Sequence, residues 1–282
     1  MIAPILVIGA TGNTGSVLTH LLRDAGATPR PVSRTPAPGG VRFDWTDPAT
    51  HAGALDGVER LYLIAPLGVT DPEPLVRPFL ERGMRGGLRR VVLLSSSALA
   101  EGDPGMGILH RLVREIVPEW VVLRPSWFMQ NFLGDHPVAR GLRAGRVATV
   151  TGSGRVAFVD AADVAAVAAR ALLDEPAHNT DHIITGPQPL SYAEVCALAS
   201  ALTGAKIRHV DVDVAQAAED LRAAGFPADF AALHAALDEA IRHGAEDRVT
   251  DTVPRITGRP ARPMRDFLAA HADELRGGPS KG

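Results

Sequence analysis

The chain has 282 residues, of which 46% are hydrophobic and 22% are charged, and its formal net charge is -3. These values are typical of a globular protein and give no electrostatic case for binding nucleic acid. No secretory leader or membrane-spanning apolar run is evident, and the single cysteine, Cys196, excludes an intrachain disulfide, so we expect a cytoplasmic protein that associates with no membrane.

The chain opens on a strand, a glycine-rich turn and a helix. Residues 5–8 form an apolar run typical of a strand buried on both faces, and from Ser16 the apolar residues recur at helical spacing. Glycines between a strand and a helix let the backbone approach a phosphate, and the helix start offers it free N–H groups. We therefore predict a dinucleotide site, with an ordinary βα turn as the alternative. The turn residues predicted to bind the cofactor are Gly9, Thr11, Gly12, Asn13, Thr14 and Gly15.

The second strand bears on the choice of dinucleotide. Folds that prefer NAD usually carry an acid about 20 residues after the turn, where it binds the ribose 2′-hydroxyl. Ser33 and Arg34 stand at that place in this chain. A hydroxyl and a guanidinium suit a 2′-phosphate, so the sequence favours NADPH over NADH. A solvated loop arginine is the alternative.

Apolar strands then alternate with helical segments. The spacing predicts strands at 41–44, 61–64, 91–94 and 120–123, with helices at 72–85 and 104–117. This alternation predicts an α/β fold with a Rossmann-type doubly wound parallel sheet and a smaller C-terminal substrate lobe. We assign residues 1–130 and 151–185 to the Rossmann lobe, and 131–150 and 186–282 to the substrate lobe.

Ligands of such sheets lie at the carboxyl ends of the strands. This rule extends the predicted cofactor site beyond the glycine turn. Turn capping accounts equally well for any one of the serines, and the acid that follows the third strand could instead start the next helix. The added residues are Asp44, Ala65, Pro66, Leu67, Ser95, Ser96 and Pro125.

An aromatic run follows the strand at 120–123, where the nicotinamide is expected. Trp127, Phe128, Met129 and Phe132, together with Asn131, are predicted to wall an apolar pocket for an aromatic or polycyclic substrate. The alternative for some of them is core packing.

The C-terminal half shows helix signals and no metal motif. Asp160 is predicted to cap a helix to about residue 173, Ser191 and Glu194 form a capping box, and residues 214–245 are helical with a break at 225–227. His178 and His182 have a helical ligand spacing, but the residues around them favour a turn, so we predict no metal site.

Carbonyl reduction by short-chain reductases uses a Tyr four residues before a Lys. Neither Tyr62 nor Tyr192 has a lysine at that offset, and no lysine precedes Lys206. Met106 and His110 occupy the spacing on the relevant helix. Losing a general acid typically costs about 10²–10⁴-fold. An iminium ion accepts hydride directly and a reduced quinone is a stabilised phenolate, so chemistry without a strong acid is favoured. His110 either orients the cofactor, donates a proton, or is a buried structural histidine.

These residues give the sequence a resemblance to the NmrA-like atypical short-chain dehydrogenase/reductase family, and within it to ergot-alkaloid reductases of the festuclavine/agroclavine dehydrogenase type. The motifs that carry it are the glycine turn, Ser33-Arg34, residues 43–45, 91–97, 106–110, 123–132, 160–163, 185–187, 190–191 and 257–259. The resemblance implies NADPH-dependent reduction of a cyclic iminium, with Met106, His110 and Trp127 near the nicotinamide.

We therefore predict an NADPH-dependent oxidoreductase that reduces a cyclic imine or iminium of a small aromatic or polycyclic secondary metabolite. A quinone or carbonyl reductase on the same scaffold would turn over simple quinones. A non-catalytic NADP(H)-sensing regulator would bind dinucleotide without turnover. The partner is a small-molecule substrate, and formation of a homodimer is left open.

Overall fold

The computed structural model describes residues 3–36, 40–66 and 68–276. The chain divides into two compact units. The first comprises Met1–Pro125, Ala161–Ile184 and Thr252–Arg259, and the second comprises Ser126–Asp160, Thr185–Asp251 and Pro260–Gly282.

The helices and strands have the following bounds. The strands are β1 (Ile5–Ile8), β2 (Pro29–Ser33), β3 (Val41–Arg42), β4 (Arg60–Ile64), β5 (Arg90–Leu94), β6 (Glu119–Pro125), β7 (Arg146–Thr149), β8 (Arg155–Val156), β9 (Thr180–Ile184), β10 (Leu190–Ser191) and β11 (Arg208–Asp211). The α-helices are α1 (Gly15–Asp24), α2 (His51–Leu55), α3 (Glu73–Arg85), α4 (Met106–Ile116), α5 (Pro137–Arg143), α6 (Ala161–Leu173), α7 (Tyr192–Thr203), α8 (Val214–Ala223), α9 (Ala228–Arg242), α10 (Thr252–Thr257), α11 (Met264–Ala270) and α12 (Ala272–Leu275). Pro48–Thr50 and Met129–Phe132 form short 3₁₀ turns.

The first unit is built on one parallel sheet. Its strand order is β3-β2-β1-β4-β5-β6-β9, and every neighbouring pair runs parallel. The order reverses on either side of β1, which creates the crevice where doubly wound sheets bind ligands. The predicted Rossmann-type fold is confirmed.

Both faces of this sheet are covered. Alternate strand residues such as Leu6, Leu61 and Val91 join a hydrophobic core with side chains of α2, α3 and α4. The intervening residues, among them Val7 and Val92, are also fully buried, and α1 and α6 pack against each other with α6 lying on β4, β5 and β6. Burial on both faces explains why these strands read as continuous apolar runs rather than alternating ones.

The second unit combines helices with two small sheets. β7 pairs with β11 in parallel, and β8 pairs with β10 in antiparallel orientation. The predicted capping box starts α7, since Ser191 Oγ accepts from the Glu194 N–H and the Glu194 carboxylate accepts from the Ser191 N–H. The break between α8 and α9 falls at Gly225, whose φ of +93° favours glycine.

The division between the units differs from the predicted lobes at four places: residues 126–130, 151–160 and 185 belong to the second unit, and residues 252–259 belong to the first. The first unit ends at Pro125, five residues before the predicted 130. Residues 127–129 belong to the second unit because they pair with Val159: the Val159 N–H donates to the Trp127 carbonyl, and the Met129 N–H donates to the Val159 carbonyl. The segment 252–259 joins the first unit because α10 packs on α6 and β9.

Among the described residues, no helix is both long and apolar enough to span a membrane. Cys196 lies buried in α7, and burial raises the pKa of its thiol to about 11. The thiolate is the reactive form, so this side chain behaves as a small hydrophobic group.

Candidate functional site

The turn after β1 is held in a conformation that requires glycine. Gly9 has a φ of +72°, and the Gly12 N–H donates to the Gly9 carbonyl at 2.9 Å. A Cβ on Gly15 would lie 2.2 Å from that same carbonyl oxygen. This is too close for a contact, so the backbone of the turn would have to open. Gly9 and Gly15 therefore fix the tight turn, while the exposed residues Thr11 to Asn13 form its outer rim.

The start of α1 remains available to an anion. Thr14 precedes the helix without capping it, because its Oγ1 instead accepts the Tyr62 hydroxyl at 2.9 Å in a buried contact. The first turn of α1 carries no acidic side chain. Uncapped N–H groups at a helix start favour a phosphate. The geometry of the first unit thus fits the predicted pyrophosphate contacts.

Ser33 and Arg34 lie at the carboxyl end of β2, with Arg34 exposed. Asp44, beyond β3, accepts bonds from both the backbone and the hydroxyl of Thr46, which lower its pKa, and the charges of Arg42 and Arg34 add to that lowering. The structure therefore places a cationic side chain and an ionised acid near each other at this edge. Their contacts to the cofactor stay predictions.

The carboxyl end of β4 is occupied by small and apolar groups. Ala65 is buried and Pro66 half-buried, and the indole N–H of Trp45 donates to the Ile64 carbonyl at 3.2 Å. Leu67 lies outside the described residues.

The carboxyl end of β5 brings two predicted residues together. Ser95 Oγ lies 2.6 Å from His110 Nε2, and both side chains are buried. Ser96 Oγ instead accepts the Ala98 N–H, and the buried Pro125 ends β6, where its carbonyl accepts the Ser97 N–H. Ser95 and His110 therefore form one polar pair inside the first unit.

The surroundings of His110 keep its imidazole neutral. Burial and the nearby Arg124 guanidinium lower the pKa of His110, against weaker opposing effects from acids that include Asp181. Arg124 itself pairs with Asp181 at 2.8 Å, and the three residues line a cavity of about 110 Å³. Because the lowered pKa lies further below neutral pH, His110 is a poor proton donor there. Met106, one turn earlier on α4, is half-buried against the hydrophobic core.

Some side chains of the aromatic run beyond β6 line a cavity of the second unit, and others lie in its core. Met129 and Phe132 are fully buried, and the Phe132 ring packs edge-on against Phe158 with centroids 5.1 Å apart. For these two side chains the predicted substrate contact gives way to core packing. Phe128 forms a bridge with Val159 and does not line the cavity described next, whereas Trp127 and Asn131 do.

That cavity measures about 250 Å³ and is lined by residues of the second unit alone. Besides Trp127 and Asn131, it carries titratable side chains that the sequence reasoning missed. Those that are at least partly buried are His136, Tyr192, His234 and Asp238, and the exposed ones are Arg140, Arg146 and Asp220. The only signal in the sequence was the four-residue spacing of His234 and Asp238, which places both on one face of a helix. Burial, with the neighbouring His234 and Arg140, lowers the pKa of His136 to about 4, so its ring is neutral at neutral pH.

The two histidines considered as metal ligands bond to each other instead. His178 Nδ1 lies 3.0 Å from His182 Nε2, and His178 Nε2 lies 3.1 Å from Asp174 Oδ2. Asn179 between them has a φ of +44° and His182 lies in β9, so the two histidines do not share a helix face.

The strand order, the glycine turn and the uncapped helix start are those of a dinucleotide-binding Rossmann fold. No protein-family model matches the sequence. The chain is 45% identical over 273 residues to the uncharacterized oxidoreductase YesF of Bacillus subtilis, covering 95% of each chain. It is 34% identical over 278 residues to an agroclavine dehydrogenase of Claviceps fusiformis, covering 94% of this chain and 96% of the relative.

Similarity also extends to solved structures. An NADPH-dependent quinone oxidoreductase from Escherichia coli, crystallised with NADPH, matches with a TM-score of 0.81 and 20% identity over 94% of this chain and 99% of the other. This likeness shows the shared fold. The sequence relatives place the chain in a class of NAD(P)H-dependent oxidoreductases. The chain belongs to the NmrA-like atypical short-chain dehydrogenase/reductase family.

Proposed function

We propose that the protein transfers hydride from NADPH to a cyclic iminium of a small aromatic or polycyclic metabolite. The observation that carries this proposal is the Ser95–His110 pair, whose histidine lies on α4: a buried imidazole of lowered pKa stands at the place of the lysine, and the apolar Met106 stands at the place of the acidic tyrosine. An iminium nitrogen already carries the positive charge that a carbonyl gains only by protonation, so its reduction needs no such acid. The agroclavine dehydrogenase among the relatives is named for an alkaloid, which agrees with this substrate class.

In this proposal NADPH supplies the hydride, and the residues of the chain bind and orient it. Gly9 to Gly15 and the start of α1 would hold the pyrophosphate, and Ser33 with Arg34 the 2′-phosphate. His110 would act as a neutral orienting group that is fixed by Ser95. Met106 would contact the nicotinamide.

The test is NADPH oxidation, followed by loss of the reduced nicotinamide absorbance, with cyclic iminium ions, quinones and ketones offered separately. Turnover confined to iminium ions supports the proposal. Turnover of quinones with none of iminium ions would favour a quinone reductase, whose phenolate product also needs little acid. NADPH binding with no turnover of any class would favour a non-catalytic sensor.

The role of His110 has its own expected result. A neutral orienting group can be replaced by another neutral hydrogen-bonding group, so His110→Gln should lower kcat for an iminium substrate by less than about tenfold. A fall of about 10²–10⁴-fold, the range for losing a general acid, would instead make His110 the proton donor. Arg111→Gln, which changes the exposed neighbouring side chain on α4, is the control for general disturbance of the helix.

The preference for NADPH over NADH tests the proposed role of Arg34. If its exposed guanidinium pairs with the 2′-phosphate, Arg34→Ala should weaken NADPH binding about tenfold and change NADH binding little. Fluorescence titration with both dinucleotides measures the ratio. Arg85→Ala, which removes an exposed arginine from the last turn of α3, should leave both affinities unchanged. An equal effect of Arg34→Ala on both dinucleotides would remove Arg34 from the assignment.

A further inference from the structure

The cavity of the second unit contains a carboxyl group that the proposed hydride transfer does not use. Asp238 lies on α9, and its side chain is 13% exposed. Its Oδ1 is buried and has no hydrogen-bond partner among the described residues. Leaving a buried carboxyl oxygen unpaired is costly, so such a group gains strongly when a ligand supplies the partner.

Its neighbour on the helix does not supply that partner. His234 stands one turn earlier, and its Nδ1 lies 3.8 Å from Asp238 Oδ2, which is too far for a hydrogen bond. That nitrogen is likewise buried without a hydrogen-bond partner in the described residues. Burial raises the pKa of Asp238, and the neighbouring His234 and the indole N–H of Trp127 oppose the rise only in part.

Aromatic rings stand beside this carboxyl group. Trp127 and Tyr192 both line the cavity and are largely buried, and the negative charge of Asp238 adds to burial in raising the pKa of the Tyr192 hydroxyl. Indole and phenol faces attract cations, most strongly where water is excluded. A carboxyl group beside such rings is a recognition element for a positively charged, flat nitrogen compound.

Arginines also line the cavity but do not reverse this preference. Arg140 and Arg146 are exposed to solvent, so water and salt screen their charges. Neither arginine shifts the pKa of Asp238. The buried part of the lining therefore combines a carboxyl group with aromatic rings, and the volume of about 250 Å³ suits a compact ligand.

We propose that Asp238 is a specificity-determining residue that binds the cationic nitrogen of the substrate in the cavity that Trp127 and Tyr192 also line. This inference rests on the proposed function, because it assigns the charge partner of the iminium substrate. A neutral quinone gains nothing from the carboxylate. The cavity thus selects charged nitrogen heterocycles over neutral compounds of the same shape.

The experiment measures binding without turnover. The full chain, saturated with NADP⁺ so that no hydride is available, is titrated calorimetrically with N-methylisoquinolinium and with its neutral analogue N-methylisoquinolone. The wild type should prefer the cation. Asp238→Asn, which keeps the shape and removes the charge, should weaken cation binding about tenfold or more and change the neutral ligand less than about twofold.

Two further variants keep the result interpretable. Glu239→Gln removes a carboxylate from the next, exposed position of α9 and should change neither affinity. Asp238→Glu keeps the charge and should retain much of the preference for the cation, which a purely structural role would not predict. Equal weakening of both ligands by Asp238→Asn, or tighter binding of naphthalene-sulfonate than of the cation, would overturn the inference.

The outcomes separate this inference from the proposed function. Asp238-dependent cation binding without turnover of any iminium ion would overturn the reductase proposal and leave the cation site intact. Iminium turnover with a KM that Asp238→Asn does not change would overturn the role of Asp238 and leave the reductase proposal intact.

Discussion

Gly15→Ala is expected to abolish NADPH binding, with an affinity loss of about 100-fold or more, equivalent to about 2.8 kcal/mol. The added Cβ would meet the Gly9 carbonyl oxygen at 2.2 Å and the Gly9 carbonyl carbon at 2.8 Å. Both are backbone atoms of the turn and cannot rotate away, so the turn must open. Fluorescence titration with NADPH measures the loss.

A graded series separates the phosphate contact from general unfolding. Gly12→Ala places its Cβ 3.3 Å from the Gly9 carbonyl oxygen, a smaller conflict, but on the exposed side of the turn where a phosphate is expected. It should fold and still bind NADPH more weakly. Gly53→Ala in α2 meets nothing within 4 Å and should keep full affinity while raising stability by up to about 1 kcal/mol. Wild-type affinity in a folded Gly15→Ala protein would remove the turn from the cofactor site.

The first unit was predictable because its signals are local. The glycine turn needs Gly9 and Gly15 for reasons set within a few residues, and strands buried on both faces appear in the sequence as unbroken apolar runs. The two edge residues Ser33 and Arg34 follow directly from the place of the second strand. Short-range chemistry therefore sufficed for the sheet and for the residues at its carboxyl edge.

The cavity of the second unit depends on contacts that no local pattern contains. Trp127 and Asp238 are more than 100 residues apart, and a histidine and an acid at helical spacing usually indicate a solvated helix face. The aromatic run after β6 has the same ambiguity, since Trp127 lines the cavity while Met129 and Phe132 fill the core. Hydrophobicity alone does not distinguish the two positions, because both exclude water.

Arg90 is another residue whose structural role could not be predicted from the sequence. As the first residue of β5 it reads as a charged strand end, yet it is fully buried. Its guanidinium donates to the carbonyls of Leu172 and Asp174 at 3.1 and 2.7 Å, at the carboxyl end of α6, more than 80 residues later in the chain. It also pairs with Glu119 at 2.6 Å and Glu175 at 3.0 Å. The Arg90 side chain therefore donates hydrogen bonds to the last carbonyls of α6 and forms ion pairs with two acids at the same time.

Arg90→Met is expected to lower the free energy of unfolding by about 3 kcal/mol, the lower end of the range for breaking a buried ion pair, because Glu119 and Glu175 are partly exposed and can regain water. Urea unfolding measures it. Arg89→Met, on the adjacent side chain that is 40% exposed, should cost less than about 1 kcal/mol although it also pairs with Glu119. NADPH affinity should be unchanged in both variants, since the two arginines lie at the amino end of β5, the edge of the sheet opposite the glycine turn. Equal losses of stability in the two variants would show that burial of Arg90 adds nothing beyond a surface ion pair.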